Sequence, residues 1–261
     1  MAEQQFQRYI GIDYSGAGTA ETGLTGLRVY VASTDGRARE IRRDTNRRRH
    51  WSRRSLFDWL ETVLDAPEPT LVGIDHGFAF PWAWFKHHGI HTDWDGFLKR
   101  FSAAYPTDQP RVTVEAVRRG QIEGAGGWPG DARWRRAAEE QVGAKSVFHF
   151  DVPGSVAKST HAGLPWLARL RRAHAGDLHV WPFDGWQIPH GRSAIAEIYP
   201  SLWSARYPRG SRTPDQHDAY VVAAGLAAAD RSGELGDLLH PPVDAGIRQR
   251  AEVEGWILGV H

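Results

Sequence analysis

The chain has 261 residues, of which 41% are hydrophobic, and it contains no cysteine. A chain of this length buries most of its unfolded surface in one large domain or two small ones, and the lack of cysteine excludes disulfides, thiolate metal sites and a cysteine nucleophile. Lysine and arginine number 32 against 31 acidic residues, so the net charge indicates no particular partner. The polar start and the lack of a long apolar stretch predict a cytoplasmic protein with no signal peptide and no membrane-spanning segment.

Six short segments have the apolar or alternating pattern of β-strands. The first of them ends at Asp13, directly before a Gly-rich turn, and the fourth is apolar throughout and runs directly into Asp75. Both acids are therefore expected at the carboxyl ends of strands. The predicted strands cover residues 9–13, 26–33, 37–42, 70–74, 178–181 and 194–199.

Helical spacing of apolar residues appears between these strands. Ser52 or Ser55 is a suitable N-cap for the first helix, and Thr213 followed by Pro214 is a strong start signal for the last one. Residues 82–158 show only short helical pieces between glycine and proline clusters, so we interpret them as an insertion within a single domain over residues 1–261. Further helical patterns cover residues 94–101, 131–142 and 164–173.

A basic segment follows the third predicted strand. Its arginines surround His50 and Trp51, a mixture suited to neutralising phosphates and stacking on a base, with Arg47, Arg48 and Trp51 as candidate substrate-binding residues. The alternative is a solvated hairpin end that continues into an amphipathic helix. The arginines of the segment are Arg42, Arg43, Arg47, Arg48, Arg49, Arg53 and Arg54.

A single feature could account for the acids at the strand ends. A carboxylate buried at a strand end costs free energy unless a cation compensates it. If the first and fourth strands are parallel, Asp13 and Asp75 emerge at the same edge of the sheet, where open α/β sheets place ligands. Asp215 and Asp218 lie near the start of the last helix, and Asp218 borders its apolar side. A divalent metal ion would satisfy these acids together.

The order of strands, helices and acids resembles the ribonuclease H-like superfamily. More narrowly, four short segments resemble an uncharacterised bacterial and archaeal family described as predicted nucleases of that fold. The resemblance implies a mixed five-stranded sheet flanked by helices, with the first three strands as an antiparallel meander and the insertion after the fourth strand. The segments are Gly11-Ile12-Asp13-Tyr14-Ser15-Gly16, Gly73-Ile74-Asp75-His76-Gly77-Phe78, Ala196-Glu197-Ile198-Tyr199-Pro200 and Asp215-Gln216-His217-Asp218-Ala219.

The resemblance also implies which residues carry the chemistry. By that likeness Asp13, Asp75 and Asp218 are metal ligands and Glu197 or Asp215 completes the site. The implied catalytic set is Asp13, Asp75, Glu197 and Asp218. The implied activity is phosphodiester hydrolysis in DNA or RNA by a two-metal mechanism with Mg²⁺ or Mn²⁺.

Other interpretations stay open beside the nuclease. Lys158 is a candidate phosphate contact, although an ordinary loop lysine is the simpler interpretation. A nucleic-acid or protein-binding module with a degenerate site is one alternative function, because the fold hosts many activities. An actin-like or sugar-kinase-like phosphotransferase, with nucleotide phosphates held by the backbone amides of residues 15–18, is another.

Overall fold

The structure is a computed structural model that describes residues 4–43, 50–90 and 93–261. Within these residues a mixed sheet of seven strands is flanked by helices. The strands are β1 (Arg8–Asp13), β2 (Arg28–Ser33), β3 (Ala38–Glu40), β4 (Thr70–Ile74), β5 (Leu178–Trp181), β6 (Ser193–Ile198) and β7 (Ile257–Leu258). The helices are α1 (Arg53–Leu64), α2 (Trp82–His87), α3 (Trp94–Ala104), α4 (Val114–Arg118), α5 (Ala137–Val142), α6 (Ala157–Ala173), α7 (Ser201–Ser204), α8 (Pro214–Ser232), α9 (Leu235–Leu239) and α10 (Ala245–Glu254).

The mixed α/β class is confirmed, but the sheet has seven strands where five were expected. The described strands follow the order β3-β2-β1-β4-β6-β5. The seventh strand, β7, comes from the last residues of the chain and pairs with the end of β6, next to the part of β6 that pairs with β5. The apolar residues near the end of the chain thus extend one side of the sheet.

Strand pairing brings the carboxyl ends of three strands side by side. β1 pairs with β2 and β2 with β3 in antiparallel register, whereas β4 runs parallel to β1 and β6 runs parallel to β4. Ile12 lies opposite Ile74, which in turn lies opposite Glu197. The backbone N–H of Asp75 donates to the carbonyl oxygen of Ile12 at 3.0 Å. Asp13 and Asp75, the next residues of the chain, therefore share one sheet edge.

The start signals of the first and last long helices are confirmed. Ser52 caps α1 and Thr213 caps α8, each by accepting a hydrogen bond from a backbone N–H in the first turn, and Pro214 is the first residue of α8. The helix predicted at 164–173 was placed too late, because α6 begins at Ala157. Its first turns are held by contacts with distant loops, which apolar spacing does not reveal.

Two glycines allow α8 to lie close to the sheet. Gly11 on β1 is level with Gly73 on β4. A Cβ added to Gly11 would lie 2.2 Å from the carbonyl oxygen of Ala219, a distance that real carbon atoms do not reach, so only glycine fits there. The close approach brings the start of α8, with Asp215 and Asp218, to the edge at which β1 and β4 end.

Gly11→Ala is expected to lower the free energy of unfolding by about 1–3 kcal/mol, because the methyl group would push α8 away from β1. Urea denaturation followed by circular dichroism measures this change. Gly236→Ala in α9 is the matched control: no atom lies within 4 Å of its added Cβ, so stability should stay equal or rise slightly. Wild-type stability in Gly11→Ala would contradict the close packing.

Apolar side chains form one large cluster on each face of the sheet. Ile10 and Ile12 of β1 pack in a cluster that includes Phe97 and Phe148 from the segment 82–158. Tyr9 belongs to the other cluster, which contains the apolar side of α8. The segment interpreted as an insertion therefore packs against the central sheet. Among the helices of the described residues, none has the length and apolar character needed to cross a membrane.

Candidate functional site

Four aspartates interact electrostatically at the carboxyl edge of the parallel strands. Asp13 ends β1, Asp75 follows β4, and Asp215 and Asp218 lie near the start of α8. All four are partly buried. Asp13 interacts with the charges of the other three, and Asp75 interacts with Asp218. These residues come from three separate elements, so the sheet register and the close packing of α8 together create the cluster.

Burial and mutual repulsion raise the pKa values of the carboxyl groups of Asp13, Asp75 and Asp218. Burial is the larger cause, and the neighbouring carboxylates add to it; the pKa of Asp13 rises from 3.8 to about 9 and that of Asp75 rises to about 8. Burial also raises the pKa of Asp218. Arg28 lies level with Asp13 on β2 and partly counteracts its shift, while its guanidinium also donates to Glu40 at 3.1 Å. Without another cation, Asp13 and Asp75 hold protons at neutral pH.

The ligand types in the cluster suit a divalent cation, but the distances between the carboxylates do not. Carboxylate oxygens are the ligands that Mg²⁺ and Mn²⁺ prefer, and raised pKa values mean that a cation would displace protons on binding. Across residues 4–43, 50–90 and 93–261, however, no three His, Asp or Glu side chains are arranged so that they could hold one ion. Binding an ion would therefore require Asp13, Asp75 and Asp218 to rotate toward one another.

Glu197, expected in the catalytic set, is held by Arg136. The guanidinium Nη1 and Nη2 lie 2.6 and 2.5 Å from its two carboxylate oxygens, and both side chains are almost fully buried. Glu197 lies level with Ile74, so strand alternation directs its side chain to the opposite face of the sheet from Asp13. Its charge still raises the pKa of Asp75. To bind a metal ion, Glu197 would have to leave a buried ion pair.

Arg136 also connects α5 to α10 through a network that the sequence did not reveal. Its Nε donates to Glu139 at 2.9 Å, and its Nη1 donates to the carbonyl oxygen of Glu254 at 3.4 Å. The Glu254 carboxylate in turn accepts from the backbone N–H of Ala137 at 2.8 Å. Arg136 and Glu139 have the three-residue spacing of a capping box, and this spacing is the one local sequence feature that points to the network. No local pattern links Arg136 to Glu197 or Glu254, because these residues lie 61 and 118 positions further along the chain.

The basic segment is neutralised in part by the protein itself. Arg53 is fully buried, and its guanidinium donates to three backbone carbonyl oxygens of the loop that follows Asp13, at 2.6 to 3.1 Å. Arg53 thus fixes the carboxyl end of β1. Arg54 pairs with Glu21, and Arg42 pairs with Glu40. The three loop carbonyls belong to Ser15, Ala17 and Gly18.

The other predicted substrate-binding residues have partners inside the protein or lie outside the described residues. Trp51 is 7% exposed and donates its indole N–H to the carbonyl oxygen of Ile41 at 2.9 Å, so it is a core residue with little free ring surface. Lys158 forms a 2.7 Å ion pair with Glu115, which a phosphate contact would have to replace or share. Arg47 and Arg48 lie outside the residues that the structure describes.

Comparisons with known proteins assign no family to this arrangement. The chain matches no family model, no curated protein and no solved structure.

Proposed function

We propose that the chain is a divalent-metal-dependent hydrolase that cleaves phosphodiester bonds in DNA or RNA. One observation carries the proposal: Asp13, Asp75 and Asp218, from three separate elements, interact at one sheet edge and all have raised pKa values. Burying carboxyl groups side by side costs free energy, and such costs are concentrated at functional sites. A group of hard oxygen ligands is suited to Mg²⁺ or Mn²⁺.

Three aspartates would hold the metal ions. Asp13 and Asp75 would offer their carboxylates from neighbouring strand ends and Asp218 from α8. Asp215, whose charge contributes to the raised pKa of Asp13, would add a fourth. Bound ions would supply a Lewis acid at the phosphate and assist deprotonation of water. Rotation of the aspartate side chains and loss of their protons must accompany binding, so metal affinity should rise with pH.

Two buried arginines position this site without belonging to it. Arg53 holds the loop after Asp13 through three carbonyl oxygens, which limits the movement of the end of β1. Arg136 holds the carboxylate of Glu197 in a buried ion pair, so that this carboxylate is not free to bind the ions. The proposed ligand set is therefore the aspartates alone, which is narrower than the sequence suggested.

Cleavage of single- and double-stranded DNA and RNA in the presence of Mn²⁺ tests the proposal. Asp13→Ala and Asp75→Ala should each reduce cleavage by more than about 100-fold, because even outer residues of metal sites typically cost roughly 10–100-fold. Asp58→Ala is the matched control: this aspartate is exposed on α1 and pairs with Arg169, so its removal should leave cleavage unchanged.

Two results would overturn the nuclease assignment. ATP consumption without strand cleavage would identify a phosphotransferase, and salt-sensitive nucleic-acid binding with neither activity would identify a binding module.

Metal binding is measured separately, as the rise in melting temperature on adding Mn²⁺. Asp75→Asn should fold but lose this rise, because a ligand stabilises a protein only by binding its folded state.

A further inference from the structure

A cavity of about 390 Å³ opens within the segment between β4 and β5, apart from the aspartate cluster. Its volume lies within the range of small-molecule sites in proteins. Both aromatic and charged side chains line its wall. They include Arg118, Trp128, Phe150, Asp151 and His161.

His161 brings an unused hydrogen-bond acceptor to this cavity. The side chain is 2% exposed, and its Nδ1 lies 2.8 Å from the carbonyl oxygen of Ala157, so Nδ1 carries the proton and donates. Burial lowers the pKa of His161 to about 3, which keeps the ring neutral. Nε2 is then a lone-pair acceptor, and no donor among the described residues bonds to it. His161 lines the cavity, so a ligand N–H that enters it can donate to Nε2 in place of water.

Aromatic rings surround His161 on several sides. The centroid of Phe150 lies 4.7 Å from that of His161, Tyr105 lies at 5.1 Å and Phe148 at 5.8 Å. Tyr105 and Phe148 are buried, whereas Phe150 and Trp128 are partly exposed in the wall of the cavity. Partly exposed aromatic faces favour a planar ring over an aliphatic group.

Charged groups stand at one side of the same cavity. The Arg118 guanidinium lies 3.8 Å from the centroid of the Phe150 ring and pairs with Asp151 at 3.3 Å. Asp151 has a φ of +63°, a left-handed conformation that is uncommon for a residue other than glycine and is often found at functional sites. Both charged side chains line the cavity, so it offers a hydrogen-bond donor and an acceptor besides His161.

The first turn of α6 connects this cavity to the aspartates. The backbone of Lys158 packs directly on Gly16, in the loop after Asp13. The next residue, Ser159, donates its hydroxyl to the carbonyl oxygen of Tyr14 at 3.0 Å. Thr160 Oγ1 accepts from the backbone N–H of Gly77, in the loop after Asp75, at 2.9 Å. His161 follows at once, so four consecutive residues join both loops of the aspartate site to the cavity.

We infer that the cavity binds a nucleobase of the substrate against Trp128 and Phe150, with a base N–H donating to Nε2 of His161. A nucleobase combines a flat face, N–H donors for His161 and Asp151, and carbonyl or ring-nitrogen acceptors for Arg118. An aliphatic ligand would use none of the aromatic faces. The inference deepens the proposed nuclease function and rests on it, since the base would belong to a nucleotide next to the cleaved phosphate.

Calorimetric titration with the four nucleoside monophosphates tests the inference in the presence of EDTA, which removes any dependence on metal ions. At least one nucleotide should bind, and ribose 5-phosphate, which lacks a base, should bind at least about tenfold more weakly. Equal binding of ribose 5-phosphate, or no binding by any nucleotide, would overturn the inference. The base could belong to a nucleic-acid strand or to a free nucleotide, and a single-stranded tetranucleotide distinguishes the two. Tighter binding of the tetranucleotide than of the monophosphate indicates a strand, and equal binding indicates a free nucleotide.

Variants of the cavity separate base binding from general stability. Phe150→Leu keeps the site apolar but removes a stacking face, so nucleotide affinity should fall about 5- to 150-fold. His161→Phe should lower affinity about tenfold by removing the acceptor, whereas His161→Gln, whose amide oxygen can accept, should retain more. Melting temperatures identify any variant that fails to fold. Unchanged affinity in folded Phe150→Leu and His161→Phe would refute the site.

The two proposals fail in distinguishable ways. If nucleotides bind in EDTA but the wild type cleaves no nucleic acid in the presence of Mn²⁺, the nuclease assignment fails while the cavity remains a base-binding site. If Asp13→Ala abolishes cleavage but no nucleotide binds in EDTA, the cavity inference alone fails.

Discussion

Replacing Arg136 with methionine should lower the free energy of unfolding by about 3–5 kcal/mol, because it breaks a buried ion-pair network from one side. The guanidinium donates to Glu139 at 2.9 Å and to both oxygens of Glu197 at 2.5 and 2.6 Å. All three side chains are at most 5% exposed. Methionine fills similar space without charge, so two carboxylates would stay buried without their cation. The packing of α5 on β6 would have to open, or the carboxyl groups would have to bind protons.

Urea denaturation near neutral pH measures this loss, and the chain offers a close control. Arg133→Met makes the same chemical change three residues earlier, but Arg133 is 89% exposed and pairs with Asp131 at the surface, so the free energy of unfolding should stay close to that of the wild type. Adding Glu197→Gln to Arg136→Met should restore part of the stability, because one of the unpaired charges is removed. If Arg136→Met is no less stable than the Arg133 control, the network contributes nothing.

Without metal ions, the wild-type free energy of unfolding should fall as the pH rises from about 4 toward 9. The folded protein holds protons on Asp13 and Asp75, whose pKa values are about 9 and about 8, while the unfolded chain releases them near 3.8. The folded state therefore binds more protons in this window. The resulting stabilisation is complete below the unfolded pKa and is lost as the pH rises through the folded values.

Asp13→Asn should remove much of this slope and should exceed the wild type in stability at about pH 9, since an amide has no proton to lose. Mn²⁺ should stabilise the wild type at this pH but not the variant. Asp131→Asn is the control. Hydrogen bonds from Arg133 lower the pKa of Asp131 to about 2, so its contribution is present above the unfolded pKa and lost only in acid. An unchanged slope in Asp13→Asn would show that its carboxyl group has an ordinary pKa.

Patterns within a few residues were sufficient to locate the main candidate ligands on their elements. Asp13 and Asp75 each follow an apolar strand, and the structure has β4 at the predicted residues and β1 one residue longer than predicted. Thr213 and Pro214 start α8 as their residue types indicate, which sets the helical position of Asp218. Capping, turn formation and strand alternation are local interactions, so the chain segment itself contains the information.

The segment 82–158 shows where such patterns stop being informative. Its helices α2 to α5 are short, from five to eleven residues, and aromatic rings from distant positions pack between them. The ring centroids of Trp84 and Phe148, for example, lie 6.4 Å apart. The sequence of the segment therefore indicated helical pieces without indicating the cavity that they enclose.

Local sequence patterns were enough to identify the residues near strand ends and helix starts, and thus the candidate acids. Which of those acids are free to act together depends on contacts between remote segments: Glu197 lies near the end of β6, yet Arg136, 61 residues away in the chain, holds it in a buried ion pair. Likewise, Arg53 looked like part of a basic surface but is buried against the loop after Asp13. Ion pairs and close helix packing depend on distances between remote parts of the chain, and no local periodicity specifies those distances.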